Sequence, residues 1–119
     1  MPKYALILPH AADRYSNLPA DEYAEIMQDY FAWVQRKVAD GSYQGGNKLR
    51  TDEGRFLTTR NGDLEVHEIP STEIAEVVGG IMILEMADLN AVVEAVRDHP
   101  HLKHNQNIVV LPIDPTTED

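Results

Sequence analysis

The sequence contains no cysteine and few basic residues, and these two shortages exclude several classes of protein. Without cysteine there is no disulfide, no thiol nucleophile and no cysteine-ligated zinc site. Lysine and arginine number 10 against 20 acidic residues, which gives a formal net charge of -10. Nucleic acid and anionic membranes both repel a chain of this charge. We therefore expect a cytoplasmic protein with neither a nucleic-acid partner nor a membrane partner.

Long hydrophobic runs are also missing. The apolar run within the first ten residues is too short for a signal peptide or a membrane span. The length of 119 residues corresponds to one domain, and the hydrophobic fraction of 43% is close to the globular average. We expect a single domain over residues 1–113, followed by a frayed acidic tail over residues 114–119.

The hydrophobic pattern predicts two β-α-β units joined by a hairpin. Two helices can cover only one face of a four-stranded sheet, so a second copy is expected to cover the other face. The sequence thus predicts an α+β, ferredoxin-like subunit that forms a homodimer. The predicted elements are a strand over 4–8 closed by Pro9, a helix over 20–40, a bulged strand over 43–49, a hairpin of 55–60 and 64–67 around Asn61-Gly62, a strand over 77–86, a helix that Asp88 caps and Pro100 ends, and a strand over 107–113.

An ordered set of short motifs resembles the YCII-related family, in its DGPF-containing branch. The resemblance implies a ferredoxin-like subunit that pairs sheet to sheet as a dimeric α/β barrel. It also implies, for some relatives, a His-Asp pair that no motif of this chain places. The motifs are Trp33, Gly41, Gly45-Gly46 and Leu49, then Thr58-Thr59-Arg60, then Val77-Val78-Gly79-Gly80 with Leu84-Glu85, then Ala87-Asp88-Leu89, His99-Pro100-His101-Leu102 and residues 108–113.

The branch's signature segment, Asp-Gly-Pro-Phe, is altered in this chain. Glu68, Ile69 and Ser71 stand where the signature has Asp, Gly and Phe. Only Pro70 is retained from the signature, and Glu73 and Glu76 match the acidic positions that follow it. A site that depends on this signature is therefore expected to be altered or lost.

His10 and Asp13 are the candidate catalytic residues. Both follow the first predicted strand, where loops commonly carry functional side chains. A carboxylate beside an imidazole fixes its tautomer and raises its basicity, which suits a general base. Two solvated loop residues would give the same local pattern, and that interpretation stays open.

Arg60, Glu85 and His101 are the candidate ligand-binding residues. Arg60 could bind a small anionic ligand bidentately, or form a surface ion pair with Asp63 or Glu65. Glu85 ends the most apolar strand, so partial burial could raise its pKa or give it an arginine partner. His101 belongs to a cluster with His99 and His104, but Pro100 breaks the helical spacing of a metal site, so we predict no metal.

Three functions remain open from the sequence. The first is a small-molecule-binding accessory or regulatory homodimer, with a pocket between sheet and partner subunit. The second is a small enzyme that uses His10 in acid–base chemistry, such as an isomerase, a lyase or a cofactor-free oxidase. The third is an interaction module that uses the acidic residues between Asp63 and Asp98. We predict no cofactor for any of them, and we expect Tyr30, Phe31 and Trp33 to pack in the core.

Overall fold

The chain folds into a four-stranded antiparallel sheet with helices on one face and a separate two-stranded hairpin, in a computed structural model that describes residues 1–69 and 76–117. The strand order in the large sheet is β2-β5-β1-β6. This confirms the predicted α+β, ferredoxin-like arrangement of the subunit. The elements are β1 (Lys3–Ala11), α1 (Ala20–Ala39), β2 (Tyr43–Lys48), β3 (Gly54–Arg60), β4 (Asp63–Ile69), β5 (Glu76–Glu85), α2 (Leu89–Ala95), α3 (Pro100–Lys103) and β6 (Val109–Pro112).

The first strand is longer than the sequence predicts, because Pro9 does not close it. β1 continues through His10 to Ala11 and alternates inward and outward side chains along its length. The register with β5 shifts between Leu8 and Pro9, so that Gly79 is an extra residue on β5. β6 pairs only with residues 4–7 of β1. The missing N–H of proline therefore removes no regular ladder hydrogen bond at this position.

The core lies between α1, α2 and one face of the large sheet. α1 covers the predicted range, with Asp21 and Glu22 in its first turn, where the helix dipole favours negative charge. Trp33 is its one fully buried side chain and packs against residues of β1 and β5. The buried hydrophobic residues are Tyr4, Leu6, Leu8, Trp33, Met82, Leu84, Val92 and Val96.

The opposite face of the sheet carries apolar side chains that no element of the described residues covers. Val109 and Leu111 on β6 are 44% and 52% exposed. They pair with Ile7 and Ala5 of β1, so these side chains share one face. The expectation that the two helices leave this face uncovered is confirmed for the single chain.

The hairpin of β3 and β4 forms a sheet of its own, outside the large sheet. Asn61 and Gly62 both have positive φ, as a two-residue type I′ turn requires, and this confirms the predicted turn. Leu57 and Val66 form a cross-strand pair, and both are more than half exposed.

The C-terminal part differs from the prediction in two boundaries. α2 ends at Ala95 instead of reaching Pro100. Pro100 is the first residue of the separate short helix α3, a position that suits proline because it needs no backbone N–H there. β6 is also shorter than predicted. Residues Pro115–Thr117 form a 3-10 turn in the segment predicted to be frayed, and residues 118–119 lie outside the described part. No helix of the described residues is long and apolar enough to cross a membrane.

Candidate functional site

A cavity of about 260 Å3 lies between α1 and the edge of the sheet formed by β2 and β5. It lies within one chain, on the helix side of the sheet. The pocket that the sequence predicts between the sheet and a partner subunit stays a prediction. Three glycines, Gly46, Gly79 and Gly80, are among its lining residues. The lining includes the apolar side chains of Leu8, Met27, Phe31, Val34 and Met82, and the polar ones of His10, Tyr15, Tyr30, Tyr43, Asn47, Lys48 and His101.

His10 lies in the cavity wall and is 3% exposed. Its Nδ1 is 2.7 Å from the carbonyl oxygen of Ala11, so this nitrogen carries the proton and donates it. The other nitrogen, Nε2, is then the unprotonated one in the neutral ring. Burial is the main cause that lowers the pKa of His10 below 6.5, with positive charge on Arg14 and Lys48 acting in the same direction. His10 is therefore a neutral base at physiological pH.

The position of the His10 ring depends on Gly79. A Cβ atom placed on Gly79 would overlap the Cδ2 and Nε2 atoms of His10. The imidazole thus lies directly against the backbone of β5, at the residue that the register shift leaves unpaired. Tyr15 contacts the His10 ring edge to face, with ring centroids 5.2 Å apart. These two contacts hold the ring in one orientation.

His101 takes part in a hydrogen-bonded series that connects three elements. Its Nε2 donates to the carbonyl oxygen of Pro9 at 2.6 Å, and its Nδ1 accepts from the hydroxyl of Tyr30, also at 2.6 Å. Arg14 Nη1 in turn donates to the Tyr30 oxygen at 3.0 Å. The series joins α3, α1 and the loop after β1, and it fixes the carbonyl that directly precedes His10.

Burial keeps this second imidazole neutral. It lowers the pKa of His101 to about 4, although the hydrogen bond to Pro9 acts in the opposite direction. Burial also raises the pKa of Tyr30 above its usual range. The proton between the two rings therefore belongs to the phenol, and His101 acts as an acceptor at Nδ1 and a donor at Nε2.

Tyr15 and Lys48 complete the polar end of the cavity. The Nζ atom of Lys48 lies 5.3 Å from the centroid of the Tyr15 ring, and the Arg14 guanidinium carbon lies 4.9 Å from it. Burial is the main cause that raises the pKa of Tyr15 to about 12, so its hydroxyl remains protonated. Two cations thus face one aromatic ring beside His10.

The structure brings His10 and His101 together but places the other predicted residues elsewhere. Asp13 is exposed, and among the described residues no hydrogen bond joins it to His10, because the Ala11 carbonyl takes that role. Arg60 lies on the hairpin and pairs with Glu65 at 3.2 Å. Glu85 is half-buried beside Lys3, seven residues along β1 from His10, which is about 23 Å at the rise of a strand.

The other two histidines of the predicted cluster have separate partners. His99 is fully buried, its ring centroid is 4.3 Å from that of Trp33, and its Nδ1 accepts from the backbone N–H of His101. His104 pairs with Asp29 at 3.0 Å. Over residues 1–69 and 76–117, no group of three potential ligands converges on a metal position.

Sequence reasoning missed Arg14, Tyr15 and Lys48 as site residues and assigned Tyr30 to the core. Arg14 and Tyr15 follow His10 within five positions, so a basic and an aromatic residue close to a candidate base was the available signal. Lys48 ends an edge strand, and no pattern in the sequence connects it to this site. The signature residues Pro70, Ser71 and Glu73 lie outside the described part of the chain.

Comparisons with known proteins bear on the fold and the family. One similar solved structure is 5-chloro-2-hydroxyhydroquinone dehydrochlorinase (TftG) from Burkholderia phenoliruptrix AC1100, in complex with 2,5-dihydroxybenzoquinone. The identity is 18%, the TM-score is 0.51, and the match covers 93% of each chain. No curated protein sequence matches significantly. The sequence profile of the YCII-related domain matches residues 3–113, nearly the whole chain, and the protein therefore belongs to the YCII-related family.

Proposed function

We propose that the protein is a small enzyme that binds a ring compound in the cavity below α1 and uses His10 as a general base. One observation carries this proposal: His10 is a buried neutral imidazole in the cavity wall whose Nδ1 proton is held by the Ala11 carbonyl. Nε2 is therefore the nitrogen that can accept a proton from a substrate. Burial lowers the pKa of His10, so this base is available at neutral pH.

The size and lining of the cavity favour a single planar ring. About 260 Å3 is below the 300–1,000 Å3 typical of sites for drug-sized ligands. Met27, Phe31 and Val34 provide an apolar wall on the side of α1. The structural neighbour is named for the dehydrochlorination of a hydroxylated ring and was solved with a hydroxylated quinone. That title supports a ring compound as the class to test first.

In the proposed step, Nε2 of His10 takes a proton from an acidic O–H or C–H group of the ring. The electron pair stays on the substrate, which then isomerises or expels a leaving group, and His10 becomes an imidazolium. The Ala11 carbonyl hydrogen bond stabilises that imidazolium, since it raises the pKa of His10. This chemistry belongs to the isomerase and lyase classes.

A binding assay and a turnover assay test the proposal with two separate probes. 2,5-Dihydroxybenzoquinone reports binding through its visible absorbance, and chloride release from 5-chloro-2-hydroxyhydroquinone reports base-assisted elimination. We expect His10→Gln to retain binding within a few-fold and to lose at least about 100-fold in chloride release. Arg60→Gln, on the remote hairpin, is the matched control and should change neither.

Two results of these assays would contradict the proposal. Full turnover in His10→Gln excludes the imidazole as the base. Binding of the quinone by the wild-type protein without turnover instead favours an accessory protein that binds small molecules and performs no chemistry.

We also propose that two copies pair through the uncovered face of the sheet, as a homodimer. The exposed side chains of Val109 and Leu111 support this, because apolar patches on a sheet face are commonly covered by a partner. Native mass spectrometry tests the subunit number. Leu111→Glu should give a monomer, whereas Leu102→Glu on the helix side should leave the dimer intact. A wild-type monomer at micromolar concentration would contradict this assembly.

A further inference from the structure

We propose that Arg14 and Lys48 form an anion-binding subsite, and that the ring compound in the cavity carries a carboxylate or another oxyanion that these two side chains bind. This inference rests on the proposed function, and it adds the charge of the substrate to it. Two observations carry it: within residues 1–69 and 76–117 neither cation has a carboxylate partner although the chain is strongly acidic, and both cations lie within 5.3 Å of the centroid of the Tyr15 ring.

Almost every other cation whose contacts are described has a carboxylate partner. Within residues 1–69 and 76–117, six arginine and lysine side chains form ion pairs, whereas Arg14, Lys48 and Arg55 have no carboxylate within 4 Å. The chain has twice as many acidic as basic residues, so most cations are expected to have a carboxylate partner. Two of these three cations, Arg14 and Lys48, contact the same aromatic ring, that of Tyr15, which lines the cavity. The paired cations are Arg36, Lys37, Arg50, Arg60, Arg97 and Lys103.

The guanidinium of Arg14 has unused hydrogen-bonding capacity. Nη1 donates to the Tyr30 hydroxyl, while Nη2 is buried and has no hydrogen-bond partner among the described residues. A buried charged donor without a partner is unfavourable, and an oxyanion satisfies it with a charge-assisted hydrogen bond. Nη1 therefore holds the Arg14 side chain in place, while Nη2 remains available to donate to an oxyanion.

Lys48 approaches the ring of Tyr15 from strand β2. It ends β2, and its Nζ lies 5.3 Å from the Tyr15 ring, whose centroid is also 4.9 Å from the Arg14 guanidinium carbon. Both cations act electrostatically on His10, whose pKa they lower after the larger effect of burial. The positive field thus extends to the proposed base, so an anion bound by the two cations lies close to the His10 ring.

The field of the whole chain gives this local pair its selectivity. A net charge of -10 repels anions from most of the surface, so Arg14 and Lys48, which have no carboxylate partner among the described residues, form a local exception beside the cavity. The ring is expected to pack against Met27 and Phe31, and its anionic substituent is expected to point toward Tyr15.

Two probes of nearly the same shape, 4-hydroxybenzoate and 4-hydroxybenzamide, test the inference because a neutral amide replaces the charged carboxylate. We expect the wild-type protein to bind the benzoate about tenfold more tightly than the amide, measured by the methyl NMR shift of Met27. Lys48→Gln and Arg14→Gln should each remove most of this preference by weakening benzoate binding about fivefold, while amide binding is unchanged. Arg55→Gln removes the third cation that has no carboxylate partner in the described part of the chain. It lies on the hairpin, and its removal should leave the preference intact.

Lys48 is exposed, so Lys48→Gln is expected to fold even if Arg14→Gln does not, and Arg14→Lys should keep part of the preference. Equal binding of the two probes by the wild-type protein would overturn the anion subsite while leaving the ring site in place. An equal loss in all three glutamine variants would also overturn it, because the effect would then come from net charge. Binding of neither probe overturns the ring site itself and this inference with it.

Discussion

The hydroxyl of Tyr30 and Nδ1 of His101 are 2.6 Å apart, although 71 residues separate them in the chain. The hydrogen bond joins the middle of α1 to the short helix α3, and the other nitrogen of His101 holds the Pro9 carbonyl of β1. Because His10 directly follows Pro9, the orientation of the proposed base depends on a contact between two helices. This relationship makes Tyr30 and His101 positioning residues for His10.

Removal of the Tyr30 hydroxyl should destabilise the protein. Tyr30→Phe leaves both His101 Nδ1 and Arg14 Nη1 without a partner, and unsatisfied buried groups cost about 1–3 kcal/mol each. We expect the free energy of unfolding, measured by urea denaturation, to fall by about 2 kcal/mol. Tyr43→Phe is the matched control, since the Tyr43 hydroxyl has no hydrogen bond within the described part of the chain. Equal losses in the two variants would show that the network contributes nothing of its own.

As the pH falls, the protein should lose stability at a higher pH than protonation of its carboxylates alone would cause. Burial lowers the pKa of His99 to about 3 and that of His101 to about 4, against 6.5 in the unfolded chain. The unfolded state therefore binds more protons between pH 6.5 and 4, so stability is complete above pH 6.5 and falls through this window. Two such groups give a slope of about 2.7 kcal/mol per pH unit.

Urea denaturation at a series of pH values measures that slope. His101→Gln removes one of the two titrating groups and should roughly halve the slope between pH 6 and 4.5, whatever it does to stability at pH 7. A slope that is unchanged in the variant would show that His101 is already protonated in the folded protein.

The sequence was sufficient for the elements but not for the site. Helical spacing predicted α1, and Asn61-Gly62 predicted the hairpin, because both are local signals. The pairing of Tyr30 with His101 depends on how α1 packs against α3, and no local pattern encodes it. Tyr30 was therefore assigned to the core, since a buried tyrosine and a buried hydrophobic residue share one helical spacing.

The interpretation of His10 and Asp13 shows the limit of sequence proximity. Three positions separate them, which suggests a pair, but Pro9 was expected to end the strand and does not. Strand alternation instead directs the His10 side chain inward, and Asp13 lies in the exposed loop that follows. The nearest acceptor for Nδ1 is then the Ala11 carbonyl, which sequence analysis cannot place.

A side chain at position 79 should displace His10. In Gly79→Ala the new Cβ overlaps the imidazole, which is buried and is held by Tyr15 and the Ala11 carbonyl, so the ring cannot move aside without losing these contacts. We expect a loss of about 1–3 kcal/mol in the free energy of unfolding and a loss of quinone binding. Gly54→Ala is the control, because its Cβ meets only Ile69 at 3.4 Å or more. Wild-type binding by Gly79→Ala would contradict the observed position of the ring.

The titration of His10 should respond in opposite directions to two charge changes. Lys48 lowers the pKa of His10 and Glu76, on the neighbouring strand, raises it. Lys48→Gln should therefore raise the pKa toward 6.5, and Glu76→Gln should lower it further, as measured by NMR of the imidazole carbons. The nitrogen shifts should report the Nδ1–H tautomer in the neutral ring, because Nδ1 donates to the Ala11 carbonyl.

The acid limb of the proposed activity should shift in the same direction as the pKa of His10. A general base works in its unprotonated form, so turnover should decrease as the pH falls through the pKa of His10 and should remain on a plateau at pH 6.5 and above. The acid limb should move to higher pH in Lys48→Gln and to lower pH in Glu76→Gln, in step with the NMR titration. An acid limb that stays fixed in both variants, while the NMR pKa moves, would assign the limiting proton transfer to a different group.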